Sequence, residues 1–169
     1  DHVIGDGASY SVTDEAMVDE LKPVLDSFWN DRINQFPLKL PRRVVELGLY
    51  GELILPVTVN PVNGAVRLGY VDPSAVEGMI LDPNNIETIV AVKVAGPAGA
   101  DARYLKVVNV DETPGAATWG RLMGVSKGET LTLADGQTVP YAGACLLFQV
   151  NKVSNASRGN PDLTPLIDF

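Results

Sequence analysis

The amino-acid sequence predicts an α+β protein: two or three N-terminal helices packed on a mostly antiparallel, hairpin-built sheet that curls into a small barrel or sandwich. Three observations lead to this prediction. Apolar residues recur at helical steps before residue 51, and β-branched extended runs replace them afterwards. Asn-Gly and Asp-Gly dipeptides then separate pairs of such runs. Helices followed by a series of strands indicate segregated elements rather than alternating β-α units.

The first helix is predicted in the acidic N-terminal part of the chain. Residues 1–37 hold eight acids and two bases, and acids favour the positive end of a helix dipole. Apolar residues at helical spacing, among them Met17, Leu21 and Phe28, give this segment one apolar face. Because Pro23 falls inside the segment, we expect a kink or two short helices.

A second helix is predicted between Pro41 and Tyr50, because proline suits a first helical turn and Gly51 suits a C-terminal cap. The pattern changes after Gly51. Residues 52–59 and 65–70 are extended, β-branched runs on either side of an Asn-Gly turn. This arrangement predicts a β-hairpin.

More strands are expected further along the chain. Extended runs predict strands at 88–95, 103–111 and 144–150, and a second hairpin at 130–139 turns at its Asp-Gly dipeptide. Between the first two of these strands, the Gly- and Pro-rich stretch 96–101 predicts a loop.

The sequence divides into three consecutive parts. Residues 1–51 form the N-terminal helical segment, and 52–159 form the β-rich part of the same domain. At 160–169, Asn160, Pro161 and Asp162 carry the signature of a helix start. We expect this last part to be the beginning of a helix that continues beyond the sequence given, so that the chain is a fragment.

Composition narrows the functional classes. The 169 residues carry a net charge of −8, with 46% hydrophobic and 20% charged residues, a balance typical of a folded globular protein. No apolar run approaches the roughly 20 residues of a membrane span, and the first eleven residues lack the basic, apolar character of a signal peptide. The acidity argues against a nucleic-acid clamp and against binding to an anionic membrane.

The residues required for catalysis are scarce. The single histidine, His2, lies beside the terminus, where it makes an unsuitable general base. The single Cys145 lies in an apolar run and is expected to be a buried, inert thiol. Neighbouring acids such as Asp19 and Glu20 point apart on a helix and are expected to be a solvated face. We therefore expect no enzyme activity, no cofactor and no metal site.

Three motifs, in this order, resemble the portal protein of tailed bacteriophages. GLYGELILPV at 48–57 is similar to the family's helix end, glycine and first wing strand. VNPVNGAVRLGYVDP at 59–73 resembles its hairpin and the Asp-Pro turn that starts a short helix. FQVNK at 148–152, continuing to SRGNPDL at 157–163, is similar to the strand and G-x-S-D-L element before the stem helix, with Pro161 in place of Ser. The resemblance covers residues 38–169.

The resemblance implies a structural role. The chain would be the N-terminal wing region of a portal ring, which is the DNA packaging channel and head–tail connector. The family forms twelve-subunit rings that contact terminase, capsid and connector proteins, in the host cytoplasm during assembly and then in the virion. Duplex DNA would pass through without sequence-specific binding, and no membrane is involved. The residues that carry the motifs are Gly51, Asn60, Gly64, Asp72, Pro73, Asn151, Arg158, Gly159, Asp162 and Leu163.

Other functions remain open at the level of sequence. One is an α+β domain that binds or hydrolyses a small molecule, which would require a base beside a nucleophile. Another is an adaptor or tail component of a virion, which shares the assembly role without the ring. The sequence is also compatible with an α+β domain of no decipherable role.

Overall fold

A computed structural model describes residues 11–13, 15–97, 100–108 and 129–162. It confirms the α+β fold, since two α-helices precede a mixed, mostly antiparallel seven-stranded sheet in this part of the chain. The sheet is open rather than closed into a barrel, with β2 and β3 at its two edges. The strands are β1 (Glu52–Val59), β2 (Val66–Leu68), β3 (Val76–Asp82), β4 (Asn85–Val94), β5 (Arg103–Val107), β6 (Thr130–Thr132) and β7 (Thr138–Gln149).

Helix α1 (Val18–Trp29) follows a 3-10 turn and continues through Pro23. The expected division into two short helices is therefore wrong. Proline at this position removes the amide that would bond to the carbonyl of Asp19. Both residues are exposed, so water can satisfy that carbonyl and the helix continues.

Helix α2 (Phe36–Tyr50) begins five residues before the predicted start. The proline in its first turn is Pro37, and Pro41 lies inside the helix. The C-terminal cap is confirmed, because Gly51 has a φ of 75° and donates its N–H to the carbonyl of Leu47 at 2.8 Å. The cap fixes the direction in which the chain enters β1.

The two predicted hairpins are confirmed. Strand β1 pairs with β2, and β6 pairs with the first part of β7. The predicted strand at 144–150 is continuous with the second arm of that hairpin, so β7 is one long strand in the middle of the sheet. It pairs antiparallel with β1 on one side and parallel with β5 on the other.

Two features of the sheet differ from the sequence prediction. Strand β3 was not predicted; it follows the 3-10 helix Pro73–Ala75 and forms an antiparallel pair with β4 that contains several register shifts. Strand β5 ends at Val107, and the rest of the predicted strand to Asp111 lies almost entirely outside the described residues. The final helix predicted from Asn160 has no helical turn as far as Asp162, and its remainder also lies outside them.

The hydrophobic core lies against one face of the sheet. Its buried members are aliphatic residues of β1, β4, β5 and β7 together with Val71 and Val76, which flank the 3-10 helix. The amide of Val71 donates to the carbonyl of Ile54 at 3.1 Å, so this connection crosses back onto β1. Cys145 is fully buried in the core, and burial raises the pKa of its thiol to about 12, as expected for an inert cysteine.

Asn34 ties the helical segment to the sheet edge at β2. Its amide nitrogen donates to the carbonyl of Val66 at 3.0 Å, and its oxygen accepts from the N–H of Leu68 at 3.1 Å. The same nitrogen also donates to the carbonyl of Phe28 at 3.3 Å. Asn34 is buried, and its side chain occupies the place of a neighbouring strand on this edge.

Substitutions at three glycines should separate backbone strain from steric contact. Gly64 has a φ of 69° and open space around it, so Gly64→Val should destabilise by about 1 kcal/mol from strain alone. At Gly51 a Cβ would also lie 2.5 Å from the carbonyl carbon of Asn160, so Gly51→Val should cost more. Gly78 has ordinary φ and open space, and Gly78→Val is the control.

Thermal melts measure the three effects. One kcal/mol lowers the Tm of a domain of this size by about 2–4 °C. We expect the loss of Tm to increase from Gly78→Val through Gly64→Val to Gly51→Val. Equal melting temperatures for Gly51→Val and Gly78→Val would contradict the assignment of Gly51.

Candidate functional site

The C-terminal part of the described chain returns to the point where α2 ends and β1 begins. The N–H of Val150 donates to the carbonyl of Gly51 at 2.9 Å, and the N–H of Asp162 donates to the carbonyl of Gly48 at 2.9 Å. We call this region the closing junction. It comprises Gly48, Gly51, Glu52, Asp72, Pro73, Asn151, Arg158, Gly159, Asn160 and Asp162.

Glycines allow the two backbones to touch in the closing junction. A Cβ on Gly159 would collide with the carbonyl oxygen of Gly51 and lie 2.8 Å from that of Val150. A Cβ on Gly48 would lie 2.9 Å from a carboxylate oxygen of Asp162. Since real side-chain carbons do not approach backbone atoms this closely, position 159 requires glycine, whereas at position 48 the carboxylate of Asp162 could shift.

Asparagine side chains close the turn of the return segment. Asn151, in the left-handed region with a φ of 51°, donates its amide to the carboxylate of Asp162 at 2.6 Å and to the carbonyl of Asn160 at 3.3 Å. Asn160 donates its own side-chain amide to the carbonyl of Asn151 at 3.3 Å. Asparagine tolerates the left-handed region better than most residues, which explains its presence at position 151.

A buried ion pair lies at the centre of the closing junction. The side chain of Glu52 is 0% exposed, and Arg158 binds both of its oxygens in a two-pronged arrangement, with Nε 3.2 Å from Oε2. The same guanidinium donates to the carbonyl of Pro73 at 3.1 Å. Arg158 is 43% exposed on its outer side. One side chain therefore connects the start of β1 to the 3-10 helix and to the return segment.

Asp72 orients the backbone carbonyl of Pro73, to which Arg158 donates a hydrogen bond. Its carboxylate accepts from the hydroxyl of Ser74 at 2.7 Å and from the N–H of Ser74 at 2.8 Å, which caps the 3-10 helix. These hydrogen bonds lower the pKa of Asp72 below its usual value. The cap orients buried Pro73, whose carbonyl faces Arg158.

The structure places seven of the ten residues singled out by the motifs in the closing junction: Gly51, Asp72, Pro73, Asn151, Arg158, Gly159 and Asp162. Asn60 and Gly64 lie elsewhere, in the β1–β2 turn, where the N–H of Gly64 donates to the carbonyl of Asn60 at 2.8 Å. Leu163 lies outside the described residues, as does His2.

Sequence reasoning did not assign a role to Glu52 or Gly48, and it assigned Asn160 only to the start of a helix. Glu52 carried a signal, because it is a lone acid at the head of the apolar strand β1. A carboxylate in such a position needs a partner when it is buried. The partner is 106 residues away, so its identity depends on the fold.

The described residues contain no group of three or more His, Cys, Asp or Glu side chains arranged to hold a metal ion. An open hollow of about 250 Å³ lies beside β4 and β7, and Lys152 at its edge donates to the carbonyl of Glu87 at 3.0 Å. In the same ranges, no helix combines the length and apolar character needed to cross a membrane.

Comparison of the chain with protein-family models, curated proteins and solved structures finds no match. The resemblance to portal proteins therefore rests on the sequence motifs.

Removing one partner of the central ion pair should be strongly destabilising. Arg158→Ala removes the counter-charge of the buried Glu52 carboxylate, and because Arg158 is 43% exposed, water can partly replace it, so we expect a loss of about 2 kcal/mol, below the range for a fully buried pair. Arg158→Ala combined with Glu52→Leu removes the orphaned charge and should recover more than half of that loss. Chemical denaturation of the variants measures these free energies of unfolding.

Arg103→Ala is the control, because Arg103 is an exposed arginine of β5. It should change stability by less than about 0.5 kcal/mol. If Arg158→Ala is as mild as this control, the ion pair does not hold the junction together.

Acid should weaken the turns at Asp72 and Asp31. The pKa of Asp72 is lowered by the side chain and the N–H of Ser74, and that of Asp31 by the amides of Asn34 and Ile33. Because the folded pKa lies below the unfolded value, the stabilisation is present above pH about 4 and disappears as pH falls through the folded pKa.

The free-energy difference between the parent and Asp72→Ala should therefore shrink below pH about 4. The difference between Asp72→Asn and Asp72→Ala is the control, and it should stay constant, because neither side chain titrates. Urea denaturation at a series of pH values measures both differences. A parent–alanine difference that is the same at pH 2.5 and pH 7 would contradict the linkage.

Proposed function

We propose that this chain is the N-terminal wing region of a phage portal protein, a structural component of the DNA packaging channel and head–tail connector, without catalytic activity. The observation that supports this most directly is the closing junction. The helix end at Gly51 and the Asp-Pro turn at 72–73 come from two neighbouring motifs, and the element around Arg158, from a third motif far away in sequence, contacts both of them. Motifs that meet in space are expected when they define one structural unit.

The chemistry of the junction supports a mechanical role. Its charged groups are used in holding chain segments together: Arg158 with Glu52 and Pro73, and Asp162 with Asn151. A subunit that transmits force in an assembly needs such fixed connections between its helices and its sheet. The net charge of −8 also suits a protein beside moving duplex DNA, because basic surfaces would hold the phosphates.

The proposal includes the partners that the resemblance implies. The complete protein would form a ring of twelve copies and would contact terminase, capsid and connector proteins. It would act in the host cytoplasm during assembly and then in the virion. DNA would pass through the ring without sequence-specific contacts, and terminase would supply the ATP hydrolysis.

The complete reading frame tests the proposal. A portal subunit requires a helix of roughly 30 residues or more after Phe169, since each helical residue adds 1.5 Å to the stem. We expect the full-length protein to form closed rings in electron micrographs, and residues 1–169 alone to be a monomer or a weak oligomer in light scattering. A heterologous interface closes into a ring only if each subunit supplies both faces.

The outcomes of these experiments distinguish the portal assignment from the alternative functions. A full-length protein without the long helix, or one that stays monomeric at physiological salt, would favour the adaptor or small-molecule alternatives. Closed rings whose dimensions do not change with protein concentration would support the portal assignment, because a closed ring has a fixed number of copies.

A further inference from the structure

Each of the two helices carries a row of exposed apolar side chains. The α1 stripe consists of Met17, Leu21 and Val24, the last 63% exposed. The α2 stripe consists of Leu38, Val45 and Leu49, of which Leu38 is 76% exposed. Spacings of three, four and seven residues place the members of each stripe on one helix face.

The sheet leaves both stripes uncovered. Neither helix contains a fully buried residue, and the two helices contact each other through rings near their connection, with Phe28 and Phe36 centred 5.1 Å apart and Trp29 and Phe36 5.3 Å apart. Exposed apolar rows of this kind mark sites of association.

The two stripes have flanks of opposite charge. Residues 15–29 hold four acids and one base, for a net charge of −3, and residues 36–50 hold three bases and one acid, for a net charge of +2. Helical spacing places Glu20 next to the α1 stripe and Arg42 next to the α2 stripe. Both residues are exposed, with the side chain of Arg42 79% accessible, and Arg42 also pairs with Glu46 of its own helix at 2.9 Å.

We propose that the α1 stripe of one copy docks on the α2 stripe of the next copy, with Glu20 of the first facing Arg42 of the second. The occupant is a second copy of this chain, because the chain itself supplies a second apolar stripe with flanks of opposite charge. The contact is heterologous, since two α1 stripes or two α2 stripes would bring like charges together. The inference rests on the proposed function in one respect, because a portal ring closes through a heterologous contact between neighbouring copies.

Two short stripes form a small interface, so a single contact should be weak. Specific stable interfaces bury about 1,200–2,000 Å² in total, more than three side chains on each side supply. The contact becomes effective when many copies join, since each subunit is then held on both sides. Residues 1–169 alone should therefore show weak self-association that falls as salt increases.

Charge reversal tests the pairing by sedimentation equilibrium on the whole 169-residue chain. Glu20→Arg places two bases against each other at the Glu20–Arg42 contact, and Arg42→Glu places two acids there, so each should raise the Kd of self-association about tenfold. The combined variant carries an acid and a base in exchanged places and should return to within about threefold of the parent. The control is Glu87→Arg, which makes the same charge change at an exposed residue of β4 and should leave the Kd unchanged.

Mixing the two single variants tests the direction of docking. Arg42→Glu retains an acidic α1, and Glu20→Arg retains a basic α2, so one native contact forms between them. The mixture should give a heterodimer that grows no further. A Kd of self-association that stays at the parent value in either single variant alone would indicate like-to-like docking and overturn the proposal.

Two substitutions of exposed valines test whether the apolar side chains of the stripes contribute to self-association. Val24→Ser should weaken self-association, and Val62→Ser, at an exposed turn of the sheet, should not. Circular dichroism and thermal melts confirm that each variant is folded. If Val24→Ser lowers the Tm by more than 5 °C without changing association, the stripe is covered within one chain and the proposal fails.

The full-length protein separates this inference from the portal assignment. Rings that persist in both single charge variants would overturn the docking and leave the portal proposal intact. A full-length protein without rings would overturn the portal proposal, while the charge-exchange result on residues 1–169 would still decide the docking.

Discussion

The ion pair between Glu52 and Arg158 is the constraint on which the remaining structure depends. A carboxylate with no exposed surface is tolerated only because one guanidinium binds both of its oxygens. The same guanidinium holds the carbonyl of Pro73, so the pair fixes three chain segments at once. A buried pair contributes little net stability compared with apolar residues, but it specifies which segments meet, because any other arrangement leaves a charge unpaired.

Glycines allow the segments that this ion pair joins to come into close backbone contact. Gly51 reverses the chain at the end of α2, and Gly159 lets the return segment lie directly on it. The junction therefore fixes α2 to β1 with backbone hydrogen bonds from Val150 and Asp162. Asn34 makes a second connection, between the helical segment and β2. Both are polar connections, and they explain how the helices are held although no residue of either helix is buried.

The arrangement of a packed sheet and helices with exposed apolar faces fits a component of an assembly. The sheet buries a core around Ile54, Val92 and Cys145 to which neither helix contributes a buried residue. The helices present apolar rows outward. Elements with few buried apolar contacts have low local stability, and association with another copy would supply the burial that they lack. A portal subunit in a ring would have such a neighbour on each side.

The sequence determined the features that depend on neighbouring residues. Both hairpins, the cap at Gly51, the turn at Asp72 and the burial of Cys145 follow from local patterns, because turn chemistry and apolar runs act over a few residues. Only the tertiary structure decided the parallel pairing of β5 with β7, the strand β3 and the partner of Glu52. These depend on segments far apart in sequence, and local patterns do not specify which distant segments meet. The burial of Glu52 and its pairing with Arg158 were therefore decided by the fold.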